Sequence, residues 1–371
     1  MSVLKSRPVL RWLVPVAAAV TVIGGGAAVG TFAAEAEPSL PPRTAAQLLV
    51  DLQTSQLEGL SGTVVQRADL GLPPIAGLAA GSNDLAALAS GTHTLRVWHS
   101  GPDRQRIALL DTLGERDLIR NGRDLWTWDS RGNTATHRTL GSEVAGKRGA
   151  GGDAAPELPA TPAQAADQAL AAIEPSTVVS VGRAATVAGR EAYELVLEPR
   201  DEASLVHQVR IAIDADEHVP LRFEIFATGS DQPAFEVAFT EIDFRRPDAD
   251  QFTFNPPPGV TVQEEKADRT DRPAFPRPAL PEHPQVRTVG TGWTTVLVAQ
   301  VGEVGAKGAA GTGSPAGGEI AGVLGSLPEV SGAWGSGRLF TAKLFNVLLT
   351  DDGRVLAGAV TPERLYEAAR G

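Results

Sequence analysis

The stretch YELVLEPRDEASLVHQVRIAIDADEHVPLRFEIFATGSDQPAFEVAF, residues 193–239, indicates a sheet protein, because apolar residues alternate with polar ones along four successive runs. The apolar positions of the four runs are Tyr193, Leu195 and Leu197; Val209, Ile211 and Ile213; Leu221, Phe223 and Ile225; and Phe235, Val237 and Phe239. The charged positions are Glu194, Glu198, Arg210, Arg222, Glu224 and Glu236. A period of two is typical of antiparallel strands that bury one face and expose the other. The stretch therefore predicts one wide sheet with a long apolar face and an opposite, wet face.

The same period continues upstream as a series of hairpins. It predicts strands near residues 62–68, 92–100, 104–110, 115–120, 124–129 and on to 139. Asn121-Gly122 lies between two of these strands, and this dipeptide is typical of a type I′ turn. The upstream strands therefore extend the sheet as an antiparallel meander.

Helices and loops are predicted to flank the sheet. Thr44 can cap an amphipathic helix whose leucines recur at helical spacing, and a second helix is predicted over 161–173 with Pro162 at its first position. Residues 70–90 are apolar but interrupted by Gly and Pro, which favours a covering flap. Residues 141–160 are rich in Gly, Ala and Pro and are predicted to form an exposed loop.

The N-terminal residues have the pattern of an export signal. Basic residues precede an uncharged stretch over 12–34, which ends in the A-x-A site Ala34-Glu35-Ala36. The stretch is long enough to span a bilayer, so an uncleaved anchor stays open beside a cleaved signal, and its Ala and Gly content favours cleavage. The sequence therefore predicts an extracytoplasmic protein, secreted or held in the cell envelope.

A charged, Pro-rich segment over 266–285 is predicted to separate two domains. The predicted division is a signal peptide at 1–36, a first domain at 37–265, the linker, and a small C-terminal domain at 286–371. In the C-terminal domain the pattern predicts a strand at 293–300, a hairpin around Asp351-Asp352-Gly353, and a final helix after Thr361.

Composition excludes several classes of protein. The chain has no cysteine, so its domains have no disulfides and its N-terminus carries no acylated cysteine. Its 44 acidic residues outnumber 33 basic ones, for a net charge of −11. Nucleic acid is excluded as a partner, because binding to phosphates depends on a basic surface.

Catalytic and metal-binding motifs are also absent from the sequence. It contains no G-x-S-x-G, no P-loop and no G-x-G-x-x-G motif. Its six histidines have neither H-x-H nor H-x-x-x-H spacing, and no thiol could complete a zinc site. We therefore predict a protein that is not an enzyme, with no cofactor and no metal.

Several segments together resemble a known family. An exported helix leads into Ser61-Gly-Thr-Val-Val, and the large domain ends in the Phe-x-Phe-x-x-Pro-x-Gly-Val pattern of residues 252–260. Over residues 44–262 the chain resembles the lipoprotein-carrier superfamily typified by LolA. The segments His93–His99, Arg104–Leu110 and Glu115–Gly122, and the small C-terminal domain, resemble the RseB/MucB regulators within that superfamily.

The resemblance implies an α+β fold: a half-open antiparallel β-barrel covered by helices, followed by a small C-terminal α+β domain. It also implies that the concave apolar face accepts the acyl chains of a lipid or lipoprotein, as a carrier or sensor. The alternative that it implies is a regulator that binds the extracytoplasmic part of a membrane-bound anti-sigma factor.

The predicted lipid-binding residues come from two parts of the sheet. From the four runs they are Leu195, Ile211, Leu221, Phe223, Ile225, Phe235, Val237 and Phe239, and from the meander they are Trp98, Trp126 and Trp128. For the tryptophans, core packing and lining of the lipid mouth both stay open. For the four runs, a filled barrel and a hollow one have the same alternation, so both stay open as well.

Overall fold

The computed structural model describes residues 40–55, 57–72, 90–111, 114–140, 176–265, 286–300 and 326–371. These residues form a 13-stranded sheet and a six-stranded sheet. The predicted export signal, most of the flap, the helix over 161–173 and the linker lie outside the described residues. The loop over 141–160 also lies outside them.

The large sheet contains the first 13 strands of the described chain. Helix α1 (Ala45–Thr54) precedes β1 (Gly59–Asp69), β2 (Ser90–Ser100), β3 (Arg104–Asp111), β4 (Gly114–Asn121), β5 (Asp124–Asp129), β6 (Thr134–Thr139), β7 (Thr177–Val181), β8 (Ala185–Val187), β9 (Arg190–Pro199), β10 (Val206–Asp214), β11 (Pro220–Ala227), β12 (Pro233–Asp243) and β13 (Thr261–Glu265). The strand order is β13-β6-β5-β4-β3-β2-β1-β12-β11-β10-β9-β7, with β8 also paired to β9. The outer strands β13 and β7 do not pair with each other in this order, so the sheet is open. It is antiparallel apart from the parallel pair of β13 and β6.

The predicted N-terminal helix is confirmed, and its start has a simple cause. The Thr44 side chain accepts a hydrogen bond from the backbone N–H of Gln47, and the Gln47 side chain accepts one from the backbone of Thr44. This reciprocal arrangement satisfies two backbone donors that a helix start leaves free. Leu48 of α1 is fully buried in the core of the large sheet, so the helix packs on the apolar face.

The predicted hairpins are confirmed with one correction to the turn at Asn121-Gly122. Asn121 pairs with Asp124, which makes Gly122 the first central residue of the turn. Gly122 has a φ of 63°, and Arg123 is not among the residues with positive φ. A type I′ turn needs positive φ at both central positions, whereas Gly at the first position alone fits a type II′ turn.

The opposite face of β9–β12 is less exposed to solvent than its charges suggest. Glu194 and Glu224 are only 7% and 9% exposed, which corrects the prediction of a fully solvated face. Arg222 lies 3.2 Å from Glu224, and Arg210 lies 3.9 Å from Glu194. Burial, together with the nearby Glu236, raises the pKa of Glu224 above its usual value. A buried carboxylate is costly unless it has a charged partner, and the neighbouring arginines supply one here.

The second sheet has its own core. Its strands are β14 (Val286–Val289), β15 (Val296–Gln300), β16 (Glu329–Gly332), β17 (Gly335–Thr341), β18 (Asn346–Thr350) and β19 (Arg354–Gly358), in the order β14-β15-β19-β18-β17-β16. Helix α2 (Pro362–Arg370) follows Thr361, as predicted, and buries Leu365 against this sheet. At the other end of α2, Arg354 donates to the carbonyl of Ala369 at 2.7 Å.

The described residues belong to one compact unit, in which the two sheets contact each other. The indole N–H of Trp293 donates to the Thr177 hydroxyl at 2.7 Å, and the Lys343 ammonium lies 2.6 Å from the Asp69 carboxylate. The backbone contacts are Leu205 N to Ala359 O at 2.9 Å and Thr361 N to Ala203 O at 2.8 Å. The division into two domains at 266–285 stays a prediction. Among the described residues, neither α-helix has the length and apolarity that crossing a membrane requires.

Candidate functional site

The four apolar runs lie side by side on one face of the large sheet. Strand pairing places Leu195 opposite Ile211, Ile211 opposite Phe223, and Phe223 opposite Val237. Paired residues of adjacent strands point to the same side of a sheet, so one row crosses four strands. We refer to this side as the concave face, after the half-open barrel that the resemblance implies. The predicted residues that lie on it are Leu195, Ile211, Leu221, Phe223, Ile225, Phe235, Val237 and Phe239.

This part of the concave face is packed. Leu195, Ile211, Leu221 and Val237 are fully buried, and Phe223 is 4% exposed. The rings of Phe223 and Phe235 meet edge to face with centroids 6.5 Å apart, a favourable geometry for aromatic pairs. That the eight residues contact acyl chains stays a prediction.

The apolar surface of the concave face continues onto β3 and β4, where it is more open. Pairing places Val97 opposite Ile107 and Ile107 opposite Leu118. Val97 belongs to the core of this face, and Ile107 and Leu109 pack against that core. Ile107 and Leu109 are half-buried, and Leu118 is 41% exposed. We call Ile107, Leu109 and Leu118 the open strip. The alternation of apolar and polar residues over 104–120 indicates these apolar positions, but above it served only to predict strands.

The three predicted tryptophans lie on the opposite face of the large sheet. Trp98 pairs with Arg106, Arg106 with Ile119, and Ile119 with Trp126. In β2 this row alternates with Val97, which belongs to the core of the concave face. The eleven predicted residues therefore fall on two faces and do not form a single site.

Trp126 and Trp128 are covered by the segment that follows β12. Their rings lie 5.1 and 6.1 Å from the ring of Phe254, and Phe252 nearby is 1% exposed. Both tryptophans are half-buried and contact the same phenylalanine, which favours the packing interpretation for these two residues.

Trp98 lies in a charged environment on that opposite face. The guanidinium groups of Arg96 and Arg106 lie 5.0 and 5.1 Å from its ring centroid, within the range of cation–π attraction. Arg106 also hydrogen-bonds the buried carboxylate of Asp117. Burial raises the pKa of Asp117 to about 6, and the nearby Glu115 adds to the effect, although Arg106 opposes it.

His137 joins the edge strand β13 to the rest of the sheet. Its Nδ1 is 2.9 Å from Oε2 of Glu264, and its Nε2 is 3.0 Å from Oδ1 of Asp124. Its ring stacks on Trp126 with centroids 4.3 Å apart. Burial acts to lower the pKa of His137, but the two hydrogen bonds to carboxylates outweigh it and raise the pKa above its usual value. Across the part of the chain that the structure describes, no three His, Asp or Glu residues are grouped to hold a metal ion.

Comparison with known proteins confirms the resemblance to RseB and MucB. Residues 87–258 match the model of the MucB/RseB N-terminal domain. The MucA/MucB complex of Pseudomonas aeruginosa is 17% identical, with 88% of this chain and 96% of that chain covered and a TM-score of 0.43. A LolA superfamily protein from Nitrosomonas europaea is 12% identical, covering 57% of this chain and 99% of its own, with a TM-score of 0.23. None of the curated proteins compared with the chain matches it.

Proposed function

We propose that this chain is an exported protein that binds the acyl chains of lipids or lipoproteins without catalysis. The proposal starts from its LolA-like domain, which is related to RseB and MucB. The observation that carries this proposal is the open strip. It is the part of the concave face where apolar side chains are continuous with the core and yet accessible. The acyl chain would lie along Ile107, Leu109 and Leu118, beside the packed rows that the sequence predicted.

The physical basis of such binding is burial of hydrocarbon. Each methylene removed from water contributes about 0.8 kcal/mol before entropy costs, so an acyl chain needs shape more than specific polar contacts. The strip also has polar neighbours that could face a head group. Arg116, on the concave face beside Leu118, lies 3.1 Å from Asp129, and Arg120 contacts the carbonyl of Gly122.

We expect Leu118→Asp to reduce acyl-chain retention at least tenfold. The substitution replaces an apolar contact with a hydrated carboxylate, and the acyl chain could cover it only by displacing the water of a charged group, which is costly. Leu118 is already 41% exposed, so the variant should fold with little loss of stability. The measurement is native mass spectrometry of the chain from its own host, together with titration of a fluorescent fatty acid.

Val262→Asp is the matched control for this experiment. Val262 is 43% exposed, and its pairing with Ala135 places it on the opposite face of the sheet. It should retain lipid like the unmodified chain. Equal retention by both variants, or no retained lipid in any of them, would contradict the proposal.

The alternative function is binding of the extracytoplasmic part of an anti-sigma factor, and one observation favours it. The second sheet has a face turned away from α2 that carries an apolar row across β15, β19, β18 and β17. Its members are Leu297, Ala357, Val347 and Phe340, in register. Leu297 is 49% exposed and the other three are partly exposed. An exposed apolar surface of this kind is typical of a site that binds another protein.

If the alternative is correct, Leu297→Asp should weaken binding of the anti-sigma segment at least tenfold and leave lipid retention unchanged. Isothermal titration with the extracytoplasmic segment of the host's own membrane-bound anti-sigma factor measures the first effect. Leu118→Asp should show the reverse pattern. Loss of both activities in one variant, with folding preserved, would show that the two surfaces are not independent.

A further inference from the structure

A small depression lies on the face of the large sheet opposite the open strip. It has a volume of about 190 Å³ and is lined by Ser61, Gly62, Thr63, Arg96, Trp98, Glu241, Ile242 and Asp243. These residues come from three adjacent strands, with β1 in the middle, β2 on one side and β12 on the other. The depression is therefore a feature of the sheet surface itself.

Its shape follows from side-chain size. Pairing places Thr63 between Arg96 and Glu241, and it places Ser61 between Trp98 and Asp243. The two residues of the middle strand are short, whereas their neighbours on both sides are long. The short pair therefore forms a floor with two hydroxyl groups, and the long side chains form two walls.

The two walls carry opposite charges that are not paired with each other. Arg96 and Glu241 lie two strands apart, which separates their Cα atoms by about 10 Å. The Arg96 guanidinium lies over the Trp98 ring, and no carboxylate of the described residues lies within 4.0 Å of it. The only hydrogen bond that Glu241 accepts from a described side chain is a long one of 3.4 Å from Thr63.

The second carboxylate of the acidic wall, Asp243, already has a cationic partner. Arg245 donates to both oxygens of Asp243, and this contact lowers the pKa of Asp243 to about 2. The charges left for a ligand are thus one cation on Arg96 and one anion on Glu241. They face each other across two hydroxyl groups, with an indole ring beside the cation.

We propose that this depression binds a small zwitterion, a molecule with an ammonium group and an anionic group a few ångströms apart. The anionic group would contact Arg96 and the ammonium group would contact Glu241. Ser61 and Thr63 would donate or accept hydrogen bonds beneath it, and Trp98 would contact its carbon atoms. Charge-assisted hydrogen bonds at both ends explain why a dipolar ligand is preferred over an ion of either sign. The site lies on the face opposite the proposed acyl site and is independent of it.

Phosphoethanolamine is the probe that tests this proposal, with ethanolamine and inorganic phosphate as its two halves. We expect the full chain to bind phosphoethanolamine at least tenfold more tightly than either half. Calorimetry and the indole NMR signal of Trp98 measure this binding.

Vesicles that contain phosphatidylethanolamine distinguish a lipid head group from a free solute. Binding to these vesicles would identify a lipid head group as the ligand. Binding to phosphoethanolamine but not to the vesicles would identify a free solute as the ligand. Equal affinity for the zwitterion and one of its halves would overturn the proposal.

Variants that remove one charge test the geometry. Arg96→Gln and Glu241→Gln should each weaken phosphoethanolamine binding at least tenfold, and both residues are exposed, so the variants should fold. The exchange of both charges in Arg96→Glu with Glu241→Arg should restore part of the binding, because the ligand can turn around. Arg67→Gln and Glu202→Gln are the matched controls, since they remove exposed charges outside the depression. Binding that survives Arg96→Gln and Glu241→Gln would overturn the proposal.

Discussion

Phe223→Ala is expected to lower the free energy of unfolding by about 3–5 kcal/mol. Phe223 is 4% exposed and lies in the packed part of the concave face, between Ile211 and Val237 of the neighbouring strands. Its removal leaves a cavity and takes away the edge-to-face contact with Phe235. Urea denaturation followed by circular dichroism measures the change.

Leu118→Ala is the control, because it removes an apolar side chain from the same face at a position that is 41% exposed. It should cost about 1 kcal/mol or less. The same pair of variants separates a packed row from a binding surface. Phe223→Ala should leave lipid retention almost unchanged in the folded fraction, whereas Leu118→Ala should reduce it. A stable Phe223→Ala chain that loses its lipid would place the acyl chain over strands β9–β12 instead.

Asp214→Ala is expected to destabilise the large sheet by about 3 kcal/mol. The Asp214 side chain is fully buried at the end of β10 and forms a two-pronged hydrogen-bonded ion pair with Arg190. It also accepts hydrogen bonds from the backbone N–H groups of Asp216 and Glu217, which form the turn into β11. The variant leaves these donors and the guanidinium without their acceptor. Thermal unfolding measures the loss.

Asp216→Ala is the matched control for this variant, because Asp216 contacts the same Arg190 at 3.3 Å but is 84% exposed. It should change stability by about 0.5 kcal/mol or less. An effect of Asp216→Ala as large as that of Asp214→Ala would contradict the argument from burial.

The effect of Asp214 should also depend on pH. Burial alone would raise the pKa of Asp214, but the hydrogen bonds from Arg190 and the two backbone donors lower it below its usual value. A lowered folded pKa means that the stabilisation is present at pH values above the unfolded pKa of about 3.9 and is lost as the pH falls through the folded pKa. The difference between the unmodified chain and Asp214→Ala should therefore shrink in acid. A constant difference from pH 7 to pH 2 would contradict this.

Local features of the fold were predictable because short-range physics controls them. Thr44 caps its helix through a residue three positions away, and Gly122 forms a turn between adjacent strands. The alternation over 193–239 depends only on the two-residue repeat of a strand. For these reasons the bounds of the predicted strands agree with the observed ones within a few residues. The type of the turn at Gly122 differed, and strands β7, β8, β13, β14, β16 and β17 were not predicted.

The face on which a neighbouring strand presents its side chains was not predictable in the same way. Alternation in β2 shows that Trp98 and Val97 point to opposite sides, but both are apolar. A shift of register by one residue would exchange the two faces. The observed pairing places Trp98 with Arg106 and away from the row of Phe223.

The strands, their apolar alternation and the cap of α1 at Thr44 could be predicted, because each depends on residues close together in the chain. The three-dimensional structure was needed to show that the rows on β9–β12 are packed, that the surface opens at Leu118, and that Arg96 faces Glu241 across Thr63. These features join strands from distant parts of the chain. Side-chain volume and pairing register determine them, and neither can be inferred from a periodic pattern, because a filled and a hollow sheet share the same period.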